Sequence, residues 1–189
     1  MISLTRFSTP TALGAVVVIV ALLQAYLLFQ TDNHDPEAIF ASDPTYRDAG
    51  ANLAAHRVFS SGAYPDLEPE VLRVPGYALF IAAIYAVSDN SHLSVIFVQN
   101  VISVVSVLMT YLLARLVFRS RPVGVIAAVL FSLSLTRLSF INVDYTETTF
   151  TLLLLLFAYF TIRYFENISP RLSIVLASLS LAAAALTRA

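Results

Sequence analysis

Arg73-Val74-Pro75-Gly76-Tyr77-Ala78-Leu79-Phe80-Ile81-Ala82-Ala83-Ile84-Tyr85-Ala86-Val87 is the stretch on which the topology of this 189-residue chain turns. Its apolar part, from Pro75 to Val87, would rise only about 20 Å as a helix, short of a hydrocarbon core of about 30 Å. If it lies flat, Arg6, Arg115, Arg119, Arg121, Arg163 and Arg171 share one side with Glu166, six bases against one acid. The other side then holds Arg47, Arg57, Arg73, Arg137 and Arg188 against eleven acids. If it crosses, Arg115, Arg119, Arg121, Arg163 and Arg171 move outside, leaving Arg6, Arg137 and Arg188 as the whole inner basic set. The positive-inside rule selects the flat arrangement, with the N-terminus inside.

Outward from that stretch, the chain is 58% hydrophobic and 12% charged, too apolar for a soluble domain that must cover its own surface. The reading is an all-α integral membrane protein with about five transmembrane helices, over 11–29, 92–118, 122–141, 147–165 and 171–187. An outer loop, 30–91, carries interfacial helices at about 44–58 and 76–88. The run behind Arg6 is too long for a signal peptide and no cleavage pattern follows it, so it is expected to stay as a span. Pro122 and Pro170 sit where helices start, and Arg163 where one ends.

All eleven basic residues are arginine and there is no cysteine. Schiff-base, thiolate and disulfide chemistry are therefore excluded, and guanidinium groups are the phosphate ligands on offer. A net charge of -1 gives no sign of a nucleic-acid partner. His34, His56 and His92 lack ligand spacing, so no metal site is expected from them. There is neither a glycine-rich phosphate loop nor a nucleophile elbow.

Four elements on the outer side carry chemistry. Asp43, in Ser42-Asp43-Pro44-Thr45-Tyr46, suits a general base for a hydroxyl proton, and equally an N-cap with proline in the first turn. Arg73, before Pro75-Gly76-Tyr77, suits a bidentate phosphate ligand, and equally a side chain reaching the lipid headgroups. Glu147, in Asp144-Tyr145-Thr146-Glu147, heads an apolar run, where a carboxylate needs a partner or a function. Asp144 and Glu147 also have the spacing of a capping box. Arg188, in Leu186-Thr187-Arg188, stands on the acidic side against the charge trend, which suggests an anionic partner or an interfacial anchor.

In their order and topology these elements resemble the GT-C superfamily of membrane glycosyltransferases. The likeness is greatest to family 39 and its bacterial relatives, namely protein O-mannosyltransferases, aminoarabinose transferases and the RgtABCD-like lipopolysaccharide-core transferases. It runs from about residue 11 to 189. The resemblance implies a sugar moved from a polyprenyl-phosphate donor to a hydroxyl of a glycan, lipid or protein, with inversion. It places the active-site loop on the outer, periplasmic or extracellular face of a bacterial inner membrane. It makes Asp43 the base, with Glu147 as second catalytic acid organising the donor head. Arg73 and Arg188 face the phosphate, and Tyr46, Tyr77 and Asp144 complete the substrate-binding set. A divalent metal is used by some relatives, and no ligand pattern here points to one. Pro44 departs from the paired acid of many relatives, and Ala189 from their usual proline. Relatives continue with further spans, so the chain is expected to be the N-terminal half. The alternative is a non-catalytic membrane protein, such as a transporter fragment, assembly partner or inactive remnant, in which the same residues are caps and anchors.

Overall fold

The computed structural model describes residues 9–32, 44–89, 91–134 and 146–188. Those residues form seven helices and no strand: α1 Thr9–Asp32, α2 Pro44–His56, α3 Pro75–Ser88, α4 His92–Phe118, α5 Arg121–Ser132, α6 Glu147–Phe165 and α7 Pro170–Thr187. This is the all-helical membrane architecture that the sequence implies. Proline stands in the first turn of α3, α5 and α7, where its missing N–H costs nothing. Asp89 and Arg119 close α3 and α4 in the left-handed conformation, at φ 52° and 50°.

Three helices, α4, α6 and α7, are long and apolar enough to cross a membrane. The apolar stretch of α1, Thr11–Leu27, and helices α3 and α5 are shorter. The expected helix over 122–141 ends at Ser132, where the Leu133 N–H turns back to the Val129 and Phe131 carbonyls. Residues 135–145 lie outside the described set. Twelve residues of α5 rise about 18 Å, so this element alone does not match a hydrocarbon core.

Small residues set the helix contacts, as expected where lipid removes most of the hydrophobic drive for helices to associate. The buried side of α7 is Ser173, Ala177, Ser180, Ala184 and Thr187, and α7 packs most extensively on α6. The Ser180 and Thr187 hydroxyls donate to carbonyls of their own helix, both at 2.8 Å, so their burial leaves no donor open. Gly124, Ala128 and Ser132 give α5 a similar stripe against α4, where a Cβ on Gly124 would meet the Tyr111 ring at 2.8 Å. Gln24 of α1 donates to Ser103 Oγ of α4 at 3.0 Å, a buried bond between helices. Outward-facing Val18, Leu22, Leu172, Val175 and Leu179 are exposed, as lipid-facing residues should be.

A second core joins α2, α3 and the start of α4, around Tyr46, Ala49, Tyr77, Ala78, Ile81, Tyr85 and Val95. Tyr46 meets Tyr77, and Gly50 packs on Ala78 and Ile81, so α2 and α3 run side by side in the same direction. α3 then folds back on α4: the Tyr85 hydroxyl bonds His92 Nδ1 at 2.9 Å, and Gln99 Nε2 donates to the Tyr77 hydroxyl. By these bonds α3 lies along the first turns of α4. The arginines at the far end of that helix lie well beyond them.

Candidate active site

Five of the seven residues singled out in the sequence are described. Asp43 and Asp144 lie outside the described residues. Three of the five meet at the start of α2 and α3. Tyr46 and Tyr77 pack edge to face at 5.4 Å, and the Arg73 guanidinium lies 5.4 Å from the centre of the Tyr46 ring. Tyr77 is fully buried and Arg73 exposed, so Tyr77 backs the Tyr46 ring on which the guanidinium itself rests at the surface.

The segment between α2 and α3 delivers Arg73 by hydrogen bonds. Asn52 Nδ2 donates to the Ser60 and Gly62 carbonyls, both at 2.8 Å, and the Glu70 N–H donates to the Phe59 carbonyl at 2.9 Å. The Glu70 carboxylate accepts from Ser61 Oγ at 2.6 Å and from the Leu72 N–H at 2.9 Å. The Ser61 hydroxyl, and after it the Leu72 N–H, hold the Glu70 carboxyl below its ordinary value. The backbone immediately before Arg73 is thereby fixed.

The other two residues meet where α6 begins and α7 ends. Arg188 Nη1 lies 3.2 Å from Glu147 Oε1, and the same guanidinium stands 5.8 Å from the Phe150 ring centre. Glu147 is the first residue of α6, with Thr146 ahead of it and no side-chain cap bond. Its carboxylate is directed to Arg188, and Oε2 is buried without a hydrogen-bond partner among the described residues. A buried carboxylate oxygen with no donor is costly.

Gly76 joins the two groups. Its backbone rests on α7, and a Cβ there would collide with the Leu186 carbonyl and fall 2.9 Å from Thr187 N. Backbone cannot rotate away as a side chain can, so only glycine allows this approach. Gly76→Ala is expected to push α3 off α7 at a cost of about 1–3 kcal/mol. A lowered melting temperature in thermal denaturation would bear this out. A wild-type value would show that the contact does not hold the two groups together.

The site sits at one end of the bundle. α6 rises about 28 Å from Glu147 to Phe165, and just beyond its far end Glu166 faces Arg119 at 3.7 Å. Arg119 follows α4, whose Gln99 meets Tyr77 near the opposite end. Glu147, Arg188, Gly76 and Tyr77 are therefore at one level, and Arg119 at the other. Among the described residues no three His, Cys, Asp or Glu side chains converge as metal ligands.

Sequence reading passed over Gln99, fully buried beneath Tyr77, and Phe150 beneath Arg188. For Gln99 a signal existed: Gln99-Asn100 is an amide pair inside an otherwise apolar run. Phe150 has none, because one aromatic residue among many carries no mark.

The family model that this chain matches is that of a glycosyltransferase of the GT-C kind, and the all-helical, membrane-type bundle is consistent with it. Residues 69–189 match the family model of dolichyl-phosphate-mannose-protein mannosyltransferase, and the chain belongs to that family. The match takes in Arg73, Gly76, Tyr77, Glu147 and Arg188, and begins after Asp43 and Tyr46. Comparison with curated proteins and with solved structures gives no match.

Proposed function

We propose that the protein, in its full-length form, transfers a sugar from a polyprenyl-phosphate donor to an acceptor hydroxyl at the outer face of the bacterial inner membrane. The acceptor is a glycan, lipid or protein, and the N-terminus is cytoplasmic. The acceptor oxygen attacks the anomeric carbon while Asp43 takes its proton. The bond from that carbon to the phosphate oxygen breaks, and its electrons pass to the phosphate. Arg188 and Arg73 stabilise the charge that develops there. Glu147 holds Arg188 by one oxygen and receives a donor hydroxyl on the other. Tyr46 and Tyr77 steady Arg73, and Asp144 completes the substrate pocket.

One observation carries this reading: the Arg188–Glu147 pair, with Glu147 Oε2 buried and unpaired among the described residues, lies beside the Gly76 contact that brings Arg73 to the same end. The segregation of charge, six arginines against one acid on the opposite side, supports the orientation. To test the donor class, the full-length protein in vesicles is supplied with a polyprenyl-phosphate sugar or with the corresponding nucleotide sugar. Transfer from the lipid donor only is the expected result. Equal transfer from the nucleotide sugar, without any lipid intermediate, would refute the assignment.

A further inference from the structure

The end of the bundle away from Glu147 holds a cavity of about 600 Å³ between α4, α6 and the turn into α7. That volume is within the roughly 300–1,000 Å³ of small-molecule sites. One wall is apolar, made of Leu112, Leu116 and Ile168, and the rim carries Arg115, Arg119 and Glu166. The Arg119–Glu166 pair is long, 3.7 Å, and its arginine side chain is 85% exposed, so an incoming anion displaces it at little cost. Tyr159 completes the lining. Its ring lies 5.7 Å from the Arg163 guanidinium, which donates to its hydroxyl at 3.3 Å. Arg163 Nε is buried with no hydrogen-bond partner among the described residues. Two guanidinium groups, Arg115 and Arg119, thus share the lining with one carboxylate and an apolar surface, and a third, Arg163, holds the Tyr159 that completes it.

From this arrangement we infer that the cavity binds the headgroup of an anionic phospholipid of the leaflet at that end, a site separate from the donor pocket. The phosphate takes the fork of Arg115 and Arg119, and the first acyl carbons cover Leu112, Leu116 and Ile168. A free phosphate would satisfy the arginines and leave the apolar wall wet, so the two-part lining selects a lipid. Glu166 opposes the ligand, which sets the affinity below what the arginines alone would give.

The test uses the full-length protein in detergent, with binding read by native mass spectrometry and by the thermal midpoint. Probes are phosphatidylglycerol, phosphatidylcholine and inorganic phosphate. Phosphatidylglycerol is expected to bind in preference to the other two and to raise the midpoint. Arg115→Gln with Arg119→Gln is expected to weaken that binding by about tenfold or more, the loss of charge-assisted bonds. Glu166→Gln is expected to tighten it, and Arg121→Gln, at the same end but outside the cavity, to leave it unchanged. Arg115 and Arg119 are exposed, so their replacement is not expected to disturb folding, and the Glu166→Gln arm stands independently of them. Equal affinity in the wild type and the double arginine variant would overturn the proposal. So would inorganic phosphate or phosphatidylcholine matching phosphatidylglycerol, or a Glu166→Gln variant that binds no tighter.

Discussion

Asp43→Asn in the full-length protein is expected to lower the turnover for sugar transfer by about 10²- to 10⁴-fold, the usual contribution of a positioned general base. The amide keeps the size of the side chain and its capacity to cap α2, whose first residue is Pro44. Insertion and melting temperature should therefore stay near those of the wild type, which separates a base from a cap. Asp43→Ala gives the complementary result: if the side chain also caps α2, stability falls by about 1 kcal/mol in addition to the loss of turnover. A correctly inserted Asp43→Asn variant with near-normal turnover would remove Asp43 from the mechanism.

Arg188→Ala is the second large effect. The guanidinium pairs with Glu147 at 3.2 Å and faces the end of the bundle where Arg73 stands. If it stabilises the departing phosphate, its loss should reduce turnover by about 10²- to 10³-fold, as the loss of one transition-state donor does elsewhere. Part of any defect could instead arise from the carboxylate that Arg188 leaves behind, since Glu147 Oε2 is already buried without a partner. A double-mutant cycle separates the two. Glu147→Gln removes the stranded charge, so the double variant should regain its melting temperature. Under the phosphate role its turnover should stay at or below that of Arg188→Ala. Recovery to the level of Glu147→Gln alone would reduce Arg188 to a neutralising partner. Arg188→Lys keeps the charge without the two-pronged fork and should fall between.

The helix starts were legible because they rest on local chemistry: Pro75, Pro122 and Pro170 each mark a first turn in the sequence and occupy one in the structure. So was the membrane character, which depends on composition. The end of α5 was not. Hydropathy averages over a window, and the apolar residues past Ser132 hide the turn at Leu133. For Glu147 the spacing to Asp144, which lies outside the described residues, suggested a cap, but gave no sign that the carboxylate pairs with Arg188 across the open end of a helical hairpin. That pairing follows from the near-equal lengths of α6 and α7, 19 and 18 residues, running in opposite directions. Gly76 shows the limit most clearly. Its dipeptide with Pro75 reads as a turn, but what restricts the position is the Leu186 carbonyl, a contact with no local trace in the sequence.

The account depends on α3 remaining at the end of the bundle that holds the site. The 189 residues contain no cysteine, so one introduced cysteine reports one position. Leu72, just ahead of α3, is 89% exposed, and the Arg119 side chain, just past α4, is 85% exposed. Single Leu72→Cys and Arg119→Cys variants are treated with a membrane-impermeant maleimide, in intact cells and after permeabilisation. The expected result is labelling at 72 in intact cells and at 119 only once the membrane is opened. Labelling of both positions from the same side would mean that α3 crosses the membrane, and would contradict the account.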